Sequence, residues 1–183
     1  DAGYDPIIID AAKLPNEENI ALTKQVVDYA RLASPKRSEG GSISIEGELG
    51  YLKGSSEVQT KIEISPADYS KPEEVADFVS RTGVDRMAIV FGNIHGIVTD
   101  QEEKLDIERF LKIVAAEPRP YYVLHGASGL KDEDVAASIK AGITNVHFNT
   151  ELRVAYRNAI DKVFHEKPNE TTPYKYLGPA DEA

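Results

Sequence analysis

The sequence predicts an α/β fold with one parallel sheet, built as part of a barrel, on three observations. Five short apolar runs alternate with five helical patterns, no hairpin signal of the Asn-Gly type joins successive runs, and no G-x-G-x-x-G follows any of them. The first two features call for βα units, and the third disfavours a doubly wound dinucleotide-binding sheet. At 183 residues the chain is expected to be a single domain, 1–183. A closed eight-unit barrel takes roughly 250 residues, so five units form an incomplete one.

Each apolar run ends on a polar side chain. Residues 6–9 end at Asp10, and 43–45 lead into Glu46-Gly-Glu48. Residues 87–91 pass through Gly92-Asn93-Ile94 to His95-Gly96, 121–124 stop at His125, and 143–146 reach His147-Phe148-Asn149-Thr150. Parallel order puts the C-terminal ends of all strands on one rim. Carboxylates and imidazoles that converge there are the donor set of a divalent-metal site, and with no cysteine any zinc would rest on His and carboxylate alone.

Between the runs, Leu22, Val26, Tyr29, Ala30 and Ala33 fall at helical spacing, and the polar segment 35–42 reads as a surface loop. The stretch 51–69 has no helical period and is expected to be a long mobile loop. Ser70-Lys-Pro-Glu73 reads as a capping box opening a helix with Val75, Phe78, Val79 and Thr82 inward, closed by Gly83. A helix with Ile107, Phe110, Leu111 and Val114 inward follows, then a shorter one with Val135, Ala136 and Ile139. The clearest amphipathic pattern is Leu152, Ala155, Tyr156, Ala159, Ile160, Val163 and Phe164. The tail 167–183, with three prolines, reads as an extended surface segment. His165, Lys13 and Lys53 read as solvated.

Charge narrows the partners. The chain has 21 Lys and Arg against 31 Asp and Glu, for a net charge of −10, which excludes nucleic acid and anionic membrane as expected partners. No apolar stretch nears the ~18 residues of a membrane span, and the first residues do not read as a signal peptide. The expected setting is cytoplasmic. Gly96, Gly126, Ser128, Asn149 and Thr150 lie in the loops after the last three strands, where barrels hold phosphate on backbone N–H groups and helix N-termini.

The motifs Glu46-Gly-Glu-Leu-Gly50, Gly92-Asn-Ile-His-Gly96, Leu124-His-Gly-Ala-Ser-Gly129 and Phe148-Asn-Thr-Glu-Leu152, in this order, resemble the class II, zinc-dependent fructose-bisphosphate and tagatose-bisphosphate aldolases. Residues 7–10 and 14–20 resemble the segment just upstream, so the match covers nearly the whole chain. The resemblance implies a (β/α)8 TIM barrel, of which this chain covers strands 4 to 8. It implies His95 and His125 as two of three catalytic-zinc ligands, Glu48 as a carboxylate near the metal and Asp10 as an acidic residue of the same site. It also implies Glu57 as a proton-transfer residue and a substrate-contacting role around His147 and Asn149, with room for a monovalent cation beside the zinc. The family's third histidine and its catalytic aspartate belong to an Asp-His motif at the end of strand 3, ahead of Asp1.

Two positions depart from the family pattern. Asp10-Ala-Ala12 stands where the family has Asp-x-Ser, and His147 stands where it has a substrate-contacting Asn. The implied activity is cleavage of a ketose 1,6-bisphosphate, fructose 1,6-bisphosphate foremost, to dihydroxyacetone phosphate and glyceraldehyde 3-phosphate, in a homo-oligomer (dimer or tetramer). The competing reading is a catalytically inactive fragment or pseudoenzyme serving as a binding or assembly module.

Overall fold

The computed structural model describes residues 6–33 and 43–183, so the loop expected over 35–42 lies outside the described residues. Five strands, β1 (Ile7–Ile9), β2 (Ile45–Leu49), β4 (Arg86–Ile89), β6 (Tyr121–Leu124) and β7 (Ile143–Val146), form one sheet in the order β1-β2-β4-β6-β7. Every pairing in it is parallel. Neighbours follow chain order, as successive βα units require.

Helices α1 (Asn16–Ala33), α2 (Pro72–Thr82), α3 (Ile107–Ala116) and α4 (Asp132–Ala141) connect these strands and pack side by side. Their apolar stripes meet one face of the sheet in a core that includes Ile20, Val27, Ile45, Leu49, Phe78, Met87, Phe110, Tyr122 and Ile143. Phe110 stacks on Phe91 at 5.0 Å and meets Tyr122 edge-on at 5.4 Å. Side chains alternate along a strand, so Ile45, Gly47 and Leu49 face these helices while Glu46 and Glu48 project from the other face. A Cβ on Gly47 would stand 2.8 Å from Phe78, which shows how closely α2 lies on β2.

Several expectations need correction. The stretch 51–69 is not loop throughout: β3 (Gly54–Gln59) pairs in parallel with β5 (His95–Val98), and a 3-10 turn spans Pro66–Asp68. Lys53 is no solvated charge, since its ammonium pairs with Asp68 at 2.8 Å. Ser70 does not cap α2, whose N-cap is Lys71. Its hydroxyl instead donates to the Leu49 carbonyl at 2.7 Å and accepts from the Val90 N–H at 3.0 Å, because two strand ends offer a buried serine stronger employment than a helix start. The tail is helical over α6 (Pro173–Asp181), which packs on α5 (Thr150–Glu166) through Phe164 and Tyr176.

The inward face of α1 is Asn19, Ile20, Thr23, Val27 and Ala30, one step round from the expected stripe, and Tyr29 is exposed. On α5 only Val163 of the expected apolar face is buried, and Leu152 is 66% exposed, because this helix rests on α6, β3 and β5. Leu111 and Ile139, expected inward, are also exposed.

One buried group makes stability depend on pH. Glu103 is 6% exposed and neither carboxylate oxygen has a hydrogen-bond partner. Burial pushes its carboxyl from 4.5 up to about 8. Between those values the folded protein keeps a proton that the unfolded chain has lost. Stability therefore falls as pH rises through this window, by up to about 1.4 kcal/mol per pH unit, with the full penalty present above it. Glu103→Gln removes that slope. Urea unfolding across the window should give a flatter profile for the variant than for the parent.

Candidate functional site

Three buried polar side chains fix the strand ends that build the site. Asn19 of α1 donates to the Glu48 carbonyl at 2.9 Å and accepts from the Thr23 hydroxyl at 3.0 Å. Ser70 holds the Leu49 carbonyl, as described above. Asn93 accepts from the Phe91 N–H at 2.9 Å and donates to the Ile89 and His125 carbonyls at 3.2 and 3.0 Å, tying the end of β4 to the end of β6. Sequence reasoning gave none of these three a positioning role. The signal for Asn19 was a polar pair, Asn19 and Thr23, one helical turn apart on the stripe that also carries Ile20 and Val27.

His125 is the hub. Its Nε2 lies 2.8 Å from Glu46 Oε1 and its Nδ1 lies 3.6 Å from Glu48 Oε2. Both glutamates are buried, at 1% and 6% exposure. Burial opposes a charge on the imidazole, but the Glu46 and Glu48 carboxylates outweigh it and hold the ring at about 9. The strand expected to stop before Glu46 in fact runs through Leu49, so both glutamates stand on one face of β2. Glu46 was quoted in the motif and assigned no role, yet it is the closer carboxylate.

The ring of His147 stacks on that of His125, with centroids 4.7 Å apart and planes at 20°. Burial and then the His125 charge hold His147 below the ordinary imidazole range. His95 opens β5 rather than ending β4, and it is likewise held low by burial, against the opposing charge of Glu48. Asp10 is exposed, and its charge reaches His95.

A cavity of about 160 Å3 gathers most of the expected residues. Its walls are Ser56, His95, Gly96, His125, Gly126, Ser128, His147, Asn149 and Thr150. Ser128 Oγ accepts from the N–H groups of Asn149 and Glu151 at 3.2 and 3.3 Å, which clips the loop after β6 to the first turn of α5. Arg153 of α5 donates to the Ser56 carbonyl at 2.7 Å and holds β3 against the same wall. Glu57 is not in the cavity. The alternation of β3 turns Ser56 inward and Glu57 out, where its carboxylate meets the Ser55 hydroxyl at 3.5 Å.

Gly126 shows how tightly the rim is built. Its φ is +67°, and a Cβ there would stand 1.9 Å from the Ile94 carbonyl oxygen.

The donor set fits a zinc ion. Among the described residues one group of three metal-binding side chains, Glu46, His125 and His147, brings its ligand atoms within 4.8 Å of one another. Imidazole nitrogen and carboxylate oxygen are zinc's ordinary protein ligands in a site without thiolate. Among the same residues no helix is long and apolar enough to cross a membrane.

The model of the family described as fructose-bisphosphate aldolase class-II matches residues 1–183. The chain belongs to the class II fructose-bisphosphate aldolase family. It is 37% identical over 179 residues to the D-tagatose-1,6-bisphosphate aldolase subunit GatY of Klebsiella oxytoca, covering 98% of this chain and 59% of that protein. Among solved structures it is similar to the YdjI aldolase of Escherichia coli K12, with a TM-score of 0.74 and 30% identity over 97% of this chain and 56% of that one. A candidate fructose-1,6-bisphosphate aldolase of Coccidioides immitis superposes with a TM-score of 0.74 at 28% identity, over 98% of this chain and 58% of that one. The chain thus spans less than two thirds of the length of these relatives.

Proposed function

We propose that this chain forms βα units 4 to 8 of a class II aldolase barrel and supplies the zinc- and phosphate-binding part of its site. The substrate we assign is a ketose 1,6-bisphosphate, fructose 1,6-bisphosphate foremost. The related tagatose-1,6-bisphosphate aldolase subunit supports this substrate class, and the two sugars differ only at C4. The observation that carries the reading is one cavity lined both by metal-type donors, His95, His125 and His147, and by phosphate-type donors, Gly126, Ser128, Asn149 and Thr150.

In the reaction the C3–C4 bond breaks and the C4 hydroxyl loses its proton to a base. The electron pair stays on the dihydroxyacetone-phosphate half, which then takes up a proton at C3. Zinc, when bound, supplies Lewis-acid stabilisation of that developing charge. His95 and His125 would hold the ion, with Glu48 beside them and Asp10 adding negative charge at the rim. Glu46 orients the His125 ring through its bond to Nε2. The loop Gly126–Gly129 and the N-terminus of α5 would take one substrate phosphate, where backbone N–H groups and the helix dipole favour an anion. Glu57 on β3 lies one residue from Ser56 of the cavity wall and is assigned the proton-transfer role. The protein is assigned to the cytoplasm, as a homo-oligomer.

Removal of the metal tests this directly. With the full-length polypeptide and a coupled assay for triose phosphate, chelation should abolish cleavage and stoichiometric zinc should restore it. Chelator-resistant cleavage would contradict the reading. A zinc-loaded protein that binds a ketose bisphosphate without cleaving it would favour the binding module.

A further inference from the structure

We propose that Glu103 sets the affinity of the phosphate seat through its own proton: as a neutral acid beside Gly129 it lets the loop hold a phosphate dianion, and as a carboxylate it repels one. The inference rests on the phosphate role proposed above for the loop Gly126–Gly129 and the start of α5.

Three observations carry it. First, Glu103 lies against that loop. A Cβ on Gly129 would stand 3.2 Å from Glu103 Oε1 and 3.5 Å from the Ile97 Cα, so the carboxyl and β5 back the same end of the loop. Glu103 is not among the cavity walls, and it acts on a bound phosphate across the loop and not by touching it. Second, what lies between is dry. Ala127, Ser128 and Thr150 are buried, as is Glu103 itself. Charges separated by buried protein are screened far less than charges across water.

Third, nothing stabilises a charge on this carboxyl. Neither oxygen has a hydrogen-bond partner, and an ionised carboxylate there would keep the whole cost of its lost hydration. The charged groups on the surrounding elements are turned elsewhere. Glu151 of α5 accepts from the Gly129 N–H at 2.7 Å, and Lys131 ahead of α4 pairs with Glu102. His95 opens β5 two residues before Ile97 and belongs to the cavity. Lys61, Glu63, Tyr69 and Lys104 line a surface cavity that Glu103 borders, and none of them bonds to either oxygen. Burial is the sole cause that carries the carboxyl up to about 8.

Linkage gives the sign. A dianion in the seat disfavours ionisation of Glu103, so the phosphate complex keeps a proton that the free protein loses as pH rises through about 8. Affinity for the dianion therefore falls through and above that pH.

The test uses zinc-loaded full-length protein and inorganic phosphate, titrated by calorimetry at pH values on either side of the Glu103 ionisation. Affinity for the dianion should fall by on the order of tenfold in the parent and stay closer to level in Glu103→Gln, whose amide keeps the shape and cannot ionise. His125 and the ligand titrate in both proteins, so the difference between the two profiles belongs to Glu103. Glu103→Met, apolar and of similar volume, should match Glu103→Gln. In buffers of different ionisation enthalpy, the parent should take up more protons on binding phosphate than either variant. Superimposable pH profiles in parent and Glu103→Gln, or equal proton uptake, would overturn the inference and leave the phosphate seat intact. A parent that binds no phosphate at any pH would overturn the seat, and this inference with it. Phosphate bound with the expected pH dependence by a protein that cleaves no ketose bisphosphate would support the inference and count against the aldolase reading alone.

Discussion

Substitution His125→Ala should leave a protein that neither retains zinc nor cleaves ketose bisphosphate, with activity reduced by at least about 10³-fold, the several kcal/mol that a Lewis-acid metal contributes. The expectation follows from position. His125 is the side chain that touches both buried glutamates, through Nε2 at 2.8 Å and Nδ1 at 3.6 Å. Its removal takes a ligand from the proposed ion and leaves Glu46 and Glu48 facing a void. Breaking a buried pair from one side costs about 3–5 kcal/mol, so the metal-free variant should also unfold at lower urea than the parent. His165→Ala is the control, because His165 is exposed on the last turn of α5 and should change neither metal content nor turnover. Zinc analysis of the two purified variants separates them, and a zinc-replete, active His125→Ala protein would remove the residue from the site.

Gly126→Ala should be nearly as damaging although it deletes no donor. At φ +67° an L-residue is strained, and the added carbon would meet the Ile94 carbonyl oxygen at 1.9 Å, a backbone atom that cannot rotate away. The loop must shift instead. His125, its chain neighbour, and Ser128, which clips the start of α5, would shift with it. Displacement of about 1 Å at reacting groups costs on the order of 10² in rate, so kcat/KM for the bisphosphate should fall by about that factor while zinc is still bound. Gly83→Ala, at a helix C-cap with nothing within 4 Å of an added Cβ, should carry only the modest strain of its positive φ and leave kcat/KM unchanged.

The main sheet was legible because its signal is local. Short runs of three to five residues closed by a polar one, between helical stripes, placed all five strands of the parallel sheet in their order, although the run 43–45 meets β2 only at Ile45. His125 and His147 were legible for the same reason, as residues that stop a strand. What escaped depended on partners distant in sequence. Gly-Ser-Ser-Glu-Val-Gln is a poor strand by composition and becomes β3 only by pairing with β5, with Gly54 opposite His95. That pairing also moved Glu57 out of the cavity and Ser56 in. The C-terminal helix was hidden by Gly178 and Pro179, ordinarily helix breakers, which α6 accommodates near its end against α5.

Two contacts were invisible for a different reason. The sequence placed Glu46 and Glu48 past a strand ending at Ile45 and gave a role to Glu48 alone, and only the fold shows that both stand on β2 and that Glu46 takes the closer bond to His125. Likewise His147 read as an awkward substitute for asparagine. Only the 4.7 Å stacking on His125 shows that it joins the other imidazole.

The most direct test is anomalous diffraction at the zinc edge from crystals of zinc-loaded protein. The account predicts one strong peak inside the cavity between β5, β6 and β7, within bonding distance of His125. A zinc-loaded crystal with no peak at His125, or with its zinc held elsewhere on the molecule, would contradict it.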